Sequence, residues 1–189
     1  MNPFDPSSAA AIFSRREALK VVGVAGAAAT AALAGFRVGN AQSPSSDVIR
    51  IGVIGCGGRG TGALQQTLSV PGSNVKLTAL ADAFEDGIGR ALQSVEGMKD
   101  KVDCPEERRF KGLDVYQKVL EHCDLVILAT PPGFRPFHFD AAIKAGKHVF
   151  MEKPVCVDSF GARLCLEAAK MADEKKLKVV VGLQRRYER

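Results

Sequence analysis

Residues 51–60 read Ile-Gly-Val-Ile-Gly-Cys-Gly-Gly-Arg-Gly, and this stretch limits the fold more than any other in the 189-residue chain. An apolar run, Ile51 to Ile54, enters three glycines spaced G-x-G-x-x-G at Gly55, Gly57 and Gly60, and a helical pattern follows at once. Strand, glycine turn and helix in that order form the turn a dinucleotide pyrophosphate needs. The first glycine makes the tight bend, the second lets the backbone approach the phosphates, and the third lets helix pack on strand. The helix N-terminus then offers free N–H groups and partial positive charge to the anion. With 19 glycines in the chain, the spacing alone also fits plain turn chemistry, so the remaining segments decide.

Taken onward, the pattern alternates. Residues 61–68 are helix-compatible and stop before Pro71-Gly72, and residues 75–81 form an apolar strand ending in Asp82. A second helix is expected over 84–96, weakened by Gly87 and Gly89, with 98–109 as loop and a short third strand starting at Arg109-Phe110. An amphipathic helix over 113–121 precedes a strand over 124–130, whose unbroken Leu-Val-Ile-Leu-Ala core suits a parallel sheet buried on both faces. A helix over 136–145, a strand over 148–151, a helix over 159–175 and a strand over 179–183 complete the series. Six strands joined by crossover helices predict an α/β, Rossmann-type doubly wound parallel sheet with ligand at the strands' carboxyl ends.

Asp82 falls 22 residues past Gly60, where the fingerprint expects an acid that accepts hydrogen bonds from the adenosine ribose and repels a 2'-phosphate. The alternative is a helix cap, since Glu85 three residues on completes a capping-box pattern. At the other strand ends stand Thr130-Pro131-Pro132 and Glu152-Lys153-Pro154. For Lys153 and Glu152 the alternative is a surface ion pair after a strand.

Residues 1–41 read as a targeting segment. Arg15-Arg16 and Lys20 precede a charge-free run, 21–36, built mainly from Ala, Gly and Val, and Gly39-Asn40-Ala41 has the small-x-small form cut by signal peptidase. The run is shorter than the roughly 20 residues of a membrane span. It resembles a twin-arginine signal, implying export to the periplasm or an equivalent compartment; an uncleaved anchor or an Ala-rich helix is the alternative. Residues 42–47 are a polar linker, and the folded domain is expected over 48–189.

Charge and cysteine narrow the field further. The isoelectric point is near 9.0, yet past residue 41 only 22 basic residues face 19 acidic ones, scattered and with few interleaved aromatics. That pattern argues against nucleic acid as a partner. Cys56, Cys104, Cys123, Cys156 and Cys165 show neither C-x-x-C spacing nor an even count, so neither a metal site nor a disulfide framework is supported.

Ala129-Thr130-Pro131-Pro132, then Ala145-Gly146-Lys147-His148-Val149, then Glu152-Lys153-Pro154, and the closing Gly182-Leu183-Gln184-Arg185-Arg186, resemble the glucose-fructose oxidoreductase and inositol dehydrogenase family (Gfo/Idh/MocA). The resemblance spans residues 48–189. It implies that Gly55, Cys56, Gly57, Gly58, Arg59 and Gly60 hold the pyrophosphate and Asp82 the ribose of NAD rather than NADP. It further implies that Thr130 and Pro131 line the nicotinamide side, with Glu152 and Lys153 near the reacting carbon and Lys153 catalytic, hydrogen-bonding the substrate hydroxyl. Pro154 is expected in cis. Many members carry Asn-His-x-His after the fourth strand, whereas this chain has Gly133-Phe134-Arg135-Pro136-Phe137-His138, so no role transfers to His138, which reads as an ordinary helix-face residue. The family also continues into a second domain that completes the substrate pocket and the oligomer interface, and this sequence reads as the N-terminal part alone. The function implied is that of an exported NAD-dependent oxidoreductase acting on a sugar, polyol or related alcohol. An NAD-dependent glycosidase of the same family, or a non-catalytic nucleotide-binding module, are the alternatives.

Overall fold

The computed structural model describes residues 48–186; the expected targeting segment and linker lie outside them. Six strands form one sheet: β1 (Ile49–Ile54), β2 (Val75–Asp82), β3 (Arg109–Lys111), β4 (Leu125–Leu128), β5 (His148–Met151) and β6 (Val179–Val181). Every pairing is parallel and the spatial order is β3-β2-β1-β4-β5-β6. The order reverses between β1 and β4, so the connection leaving β1 for β2 and the one leaving β4 for β5 run in opposite directions and open a crevice at the carboxyl ends of those two strands.

Among the described residues five helices cover the sheet: α1 (Gly58–Leu68), α2 (Glu85–Ser94), α3 (Tyr116–Glu121), α4 (Arg135–Lys144) and α5 (Ser159–Glu174). Period-two alternation along the strands divides the core. In β4, Ile127 packs with Leu64 and Leu68 of α1 and Ile88 and Ala91 of α2, while Val126 and Leu128 pack with Val119 of α3, Phe139 and Ile143 of α4 and Ala168 of α5. Strands buried on both faces explain the unbroken apolar runs. Leu64 and Leu68 are essentially inaccessible, so truncating either to Ala costs about 2–5 kcal/mol.

Where the boundaries differ from the sequence reading, local physics gives the reason. Helix α1 begins at Gly58, inside the glycine motif, three residues earlier than expected. Gly58, Gly60 and Gly62 have poor helix propensity, and burial of Ala63, Leu64 and Leu68 compensates. The expected loop 98–109 contains two 3-10 turns, Glu96–Lys101 and Glu106–Arg108, and is tied to the sheet by an isolated bridge between Leu77 and Val102. Helix α3 starts at Tyr116, not residue 113, leaving Leu113 exposed. Strands β4 and β6 are shorter than their apolar runs, because Ala129-Thr130 and Gly182-Leu183 peel away into the loops that carry the site.

Candidate functional site

The glycine turn packs too closely for side chains at two of its three glycines. Gly55 has φ +93°, in the region that favours glycine, and a Cβ there would lie 2.7 Å from the Thr130 amide nitrogen. A Cβ on Gly60 would lie 1.9 Å from the Gly55 carbonyl oxygen, so the first turn of α1 rests directly on the turn before it. Gly57 differs: a Cβ would meet nothing within 4 Å, because the residue faces an open cleft.

Helix α1 enters that cleft uncapped. Its N-cap is Gly57, no side chain caps it and its first turn holds no acidic residue. The leading N–H groups of a helix have no intrahelical partner, and together with the helix dipole they make a seat for an anion.

Asp82 closes the cleft at the tip of β2. Its Oδ2 accepts from the Cys56 amide at 2.6 Å and its Oδ1 from the Phe84 amide at 2.9 Å. The carboxylate thus braces the glycine turn and the entry to α2, whose N-cap is Phe84 without a side-chain cap. Gly87, which the sequence marks only as a weak helix residue, leaves the space this carboxylate uses: a Cβ there would be 3.0 Å from Asp82 Cγ. Cys56 turns inward, its Sγ 3.6 Å from the Ala81 carbonyl, and burial, with the Asp82 charge adding, pushes its thiol up to about 12. Burial likewise lifts Cys123 to about 11.

The cleft holds about 650 Å³ and is lined by Gly55, Gly57, Gly58 and Arg59 from the turn, Asp82 from β2, Phe84 from the start of α2, and Thr130 and Pro131 from the loop after β4. Leu113, Tyr116 and Arg135 complete its wall. A glycine cradle, an open helix N-terminus and a carboxylate at the second strand's tip fit a dinucleotide. Glu152 and Lys153 are not among the residues that line this cleft, but Glu152 is tied to its rim through Arg59. Glu152 is 3% exposed and turns beneath Gly182, whose Cβ position is 3.1 Å from Glu152 Oε1. There Arg59 Nη2 reaches the same oxygen at 2.5 Å. Lys153 is exposed and borders a separate depression with Leu183, Gln184, Arg185 and Arg186. The Lys153–Pro154 bond is cis, as expected.

Two residues given no role by sequence reasoning support the wall: Arg135 lines it, and His138 stands against Thr130 and Tyr116, which do. Arg135 is 3% exposed, and its Nη atoms donate to the Thr130 and Pro154 carbonyls, so one guanidinium joins the loops after β4 and β5. Burial lowers its pKa, with the Glu152 charge opposing, and its Nε has no partner among the described residues. His138 is 5% exposed, not an ordinary helix-face residue. Its Nδ1 lies 3.1 Å from Thr130 Oγ1 and its ring sits 4.3 Å from that of Tyr116. Burial first, and then the Arg135 charge, lowers its pKa to about 4, so it is neutral at ordinary pH. The signal for this pair in the sequence is Arg-Pro-Phe-His at the start of the helix that follows the β4 loop. His148 accepts from the Lys178 amide at 2.9 Å and belongs to the β5–β6 scaffold.

Comparisons with known proteins bear on the family and the fold. A glycosyl hydrolase family 109 protein of Streptomyces coelicolor is 34% identical over 113 residues, covering 58% of this chain and 23% of its own length. One from Saccharopolyspora erythraea is 30% identical over 159 residues, covering 75% of this chain and 33% of its own. The chain therefore spans about a quarter to a third of the length of these curated relatives. Among solved structures, scyllo-inositol dehydrogenase from Lactobacillus casei with bound NAD(H) and scyllo-inositol superposes with a TM-score of 0.60 at 23% identity, over 75% of this chain and 38% of that one, a likeness of fold. The model of the Gfo/Idh/MocA oxidoreductase family, NAD-binding Rossmann fold, matches residues 49–183, and the chain belongs to that family.

Proposed function

We propose that residues 48–189 are the dinucleotide-binding domain of an exported, NAD-dependent oxidoreductase that moves a hydride between nicotinamide and a sugar, polyol or related alcohol. The observation that carries this reading is the convergence of an uncapped helix N-terminus, a glycine cradle and Asp82 on one cleft. In it, Gly55, Gly57, Gly58, Arg59 and Gly60 receive the pyrophosphate, while Cys56 contributes the amide that holds Asp82 in place. Asp82 accepts from the adenosine ribose hydroxyls, and its charge disfavours the 2'-phosphate of NADP. Thr130 and Pro131 border the nicotinamide, with Arg135 and His138 fixing the Thr130 loop from behind.

When bound, the nicotinamide supplies a hydride acceptor or donor. Lys153 does the proton work: its amine hydrogen-bonds the substrate hydroxyl, takes that proton as the carbon loses hydride, and returns it in the reverse direction. A further domain completes the substrate pocket and the oligomer interface in this reading, and the similarity to longer relatives supports it. Residues 1–41 form a twin-arginine signal, a route that carries folded proteins with cofactor bound and suits a compartment without a nucleotide pool.

The test is to incubate the full-length protein with NAD⁺ and a panel of polyols and sugars and follow NADH. Turnover is expected with at least one class, and Lys153→Ala should abolish it while NAD binding persists; equal loss of both would make Lys153 architectural. The similarity to glycosyl hydrolase family 109 proteins favours one second reading, a glycosidase that keeps NAD bound and uses a transient oxidation. Net hydrolysis of an aryl glycoside without net NADH would select it.

A further inference from the structure

Arg59 connects two places that the sequence keeps 93 residues apart. It sits in the first turn of α1, lines the cleft and is half exposed, whereas its partner Glu152 is almost fully buried. With the Gln184 amide turned so that its oxygen faces Arg59, the orientation that satisfies both groups, that oxygen accepts from Nη1 and Nη2 at 3.1 and 2.9 Å and gives the guanidinium a second contact. Gln184 belongs to the Gly-Leu-Gln-Arg-Arg segment to which no cofactor contact has been given. It borders the same depression as Lys153, the residue that directly follows Glu152.

This arrangement gives one cation two anionic claims. A pyrophosphate on the α1 N-terminus attracts a guanidinium carried by that same turn, since Arg binds phosphate through paired N–H donors. Drawing the guanidinium toward the cleft strips a buried carboxylate of its counter-ion, which is strongly unfavourable, so the carboxylate must follow or find new donors. Glu152 is confined on the side of Gly182, where even one added methyl carbon would lie 3.1 Å from its Oε1. Any adjustment is therefore passed along the backbone to Lys153 and to Gln184.

Resting on the cofactor reading above, we propose that Arg59 is a positioning residue through which an anion at the α1 N-terminus changes the setting of the Glu152–Lys153 turn. The dinucleotide is then bound and reported to the proton-handling residue by the same side chain. Linkage makes the effect reciprocal: whatever Glu152 takes from Arg59 is withheld from the phosphate.

ADP is the discriminating probe, because it brings a pyrophosphate without a nicotinamide that could shield Lys153 directly. The full-length protein, with and without saturating ADP, is pulsed with an amine-reactive succinimidyl ester, and Lys153 labelling is quantified by peptide mass spectrometry. ADP affinity is measured by calorimetry. ADP is expected to change the wild-type Lys153 labelling rate by about fivefold, the lower range of typical coupling. Arg59→Ala should remove the change even at saturating ADP, and Arg59→Lys should restore part of it. Glu152→Gln, which frees Arg59 without leaving a buried charge, should tighten ADP by about fivefold. Tight ADP binding with unchanged Lys153 labelling, or unaltered ADP affinity in Glu152→Gln, overturns the coupling and leaves the cofactor reading standing. Failure of the wild type to bind ADP overturns both.

Discussion

Three glycines at the head of α1 give opposite predictions for one identical change, Gly→Ala. At residue 60 the added Cβ would sit 1.9 Å from the Gly55 carbonyl oxygen, where ordinary contact begins near 3.4 Å, so turn and helix must separate by about 1.5 Å. Overpacking of this kind costs about 1–3 kcal/mol. The same displacement carries the leading N–H groups off their line to the cleft. Losing one charge-assisted hydrogen bond to a phosphate, about 1.5–3 kcal/mol, weakens NAD roughly 10- to 100-fold. At residue 62 a Cβ meets nothing within 4 Å inside a helix, so Ala should stabilise by about 0.5–1 kcal/mol and leave NAD affinity alone. At residue 57 the φ of −70° suits any residue and a Cβ clashes with no protein atom, yet it projects into the cleft. Stability should hold there while affinity falls. Urea melts followed by circular dichroism, apt for a chain without tryptophan, and calorimetric NAD titrations read the two quantities separately. A Gly60→Ala protein with wild-type midpoint and affinity would refute the close approach. Unchanged affinity in Gly57→Ala would refute the assignment of the cleft.

The remaining predictions concern buried titratable groups. His138 is held near 4 against an ordinary value of 6.5, so between those values the unfolded chain binds the extra proton, and stability must fall as pH drops from about 6.5 toward 4. The loss at the acid end is on the order of 3 kcal/mol, and His138→Phe should flatten that part of a pH series of urea midpoints. The thiols carry the opposite sign. With Cys56 pushed up to about 12 and Cys123 to about 11, the folded state keeps both protonated, so their contribution to stability should be level below about pH 9 and fall above it as unfolded thiols ionise. In native protein at pH 8, iodoacetamide should reach half-buried Cys156 before the four buried cysteines, and peptide mass spectrometry would show the order.

What could be read from the sequence was what depends on neighbours along the chain. The six strands and their parallel pairing follow from apolar runs separated by helical periods, and the glycine spacing and the position of Asp82 follow from the geometry of one βαβ unit. The early start of α1 escaped because glycine propensity points away from helix while tertiary packing of Leu64 and Leu68 outweighs it. The Arg59–Glu152 pair escaped because its members are 93 residues apart and meet only once β1 and β5 are placed in the sheet. His138 reads as a helix-face residue because its cover comes from segments distant along the chain, Tyr116 of α3 and the Thr130 loop.

The central claim is that this cleft takes NAD with Asp82 choosing it over NADP. Calorimetric titration of the full-length protein with each nucleotide, repeated on Asp82→Ala, tests it most directly. The account predicts saturable one-to-one NAD binding, weaker NADP binding, and in Asp82→Ala a drop in NAD affinity that narrows or reverses the preference. Absence of saturable NAD binding, or a wild-type preference for NADP, would contradict it.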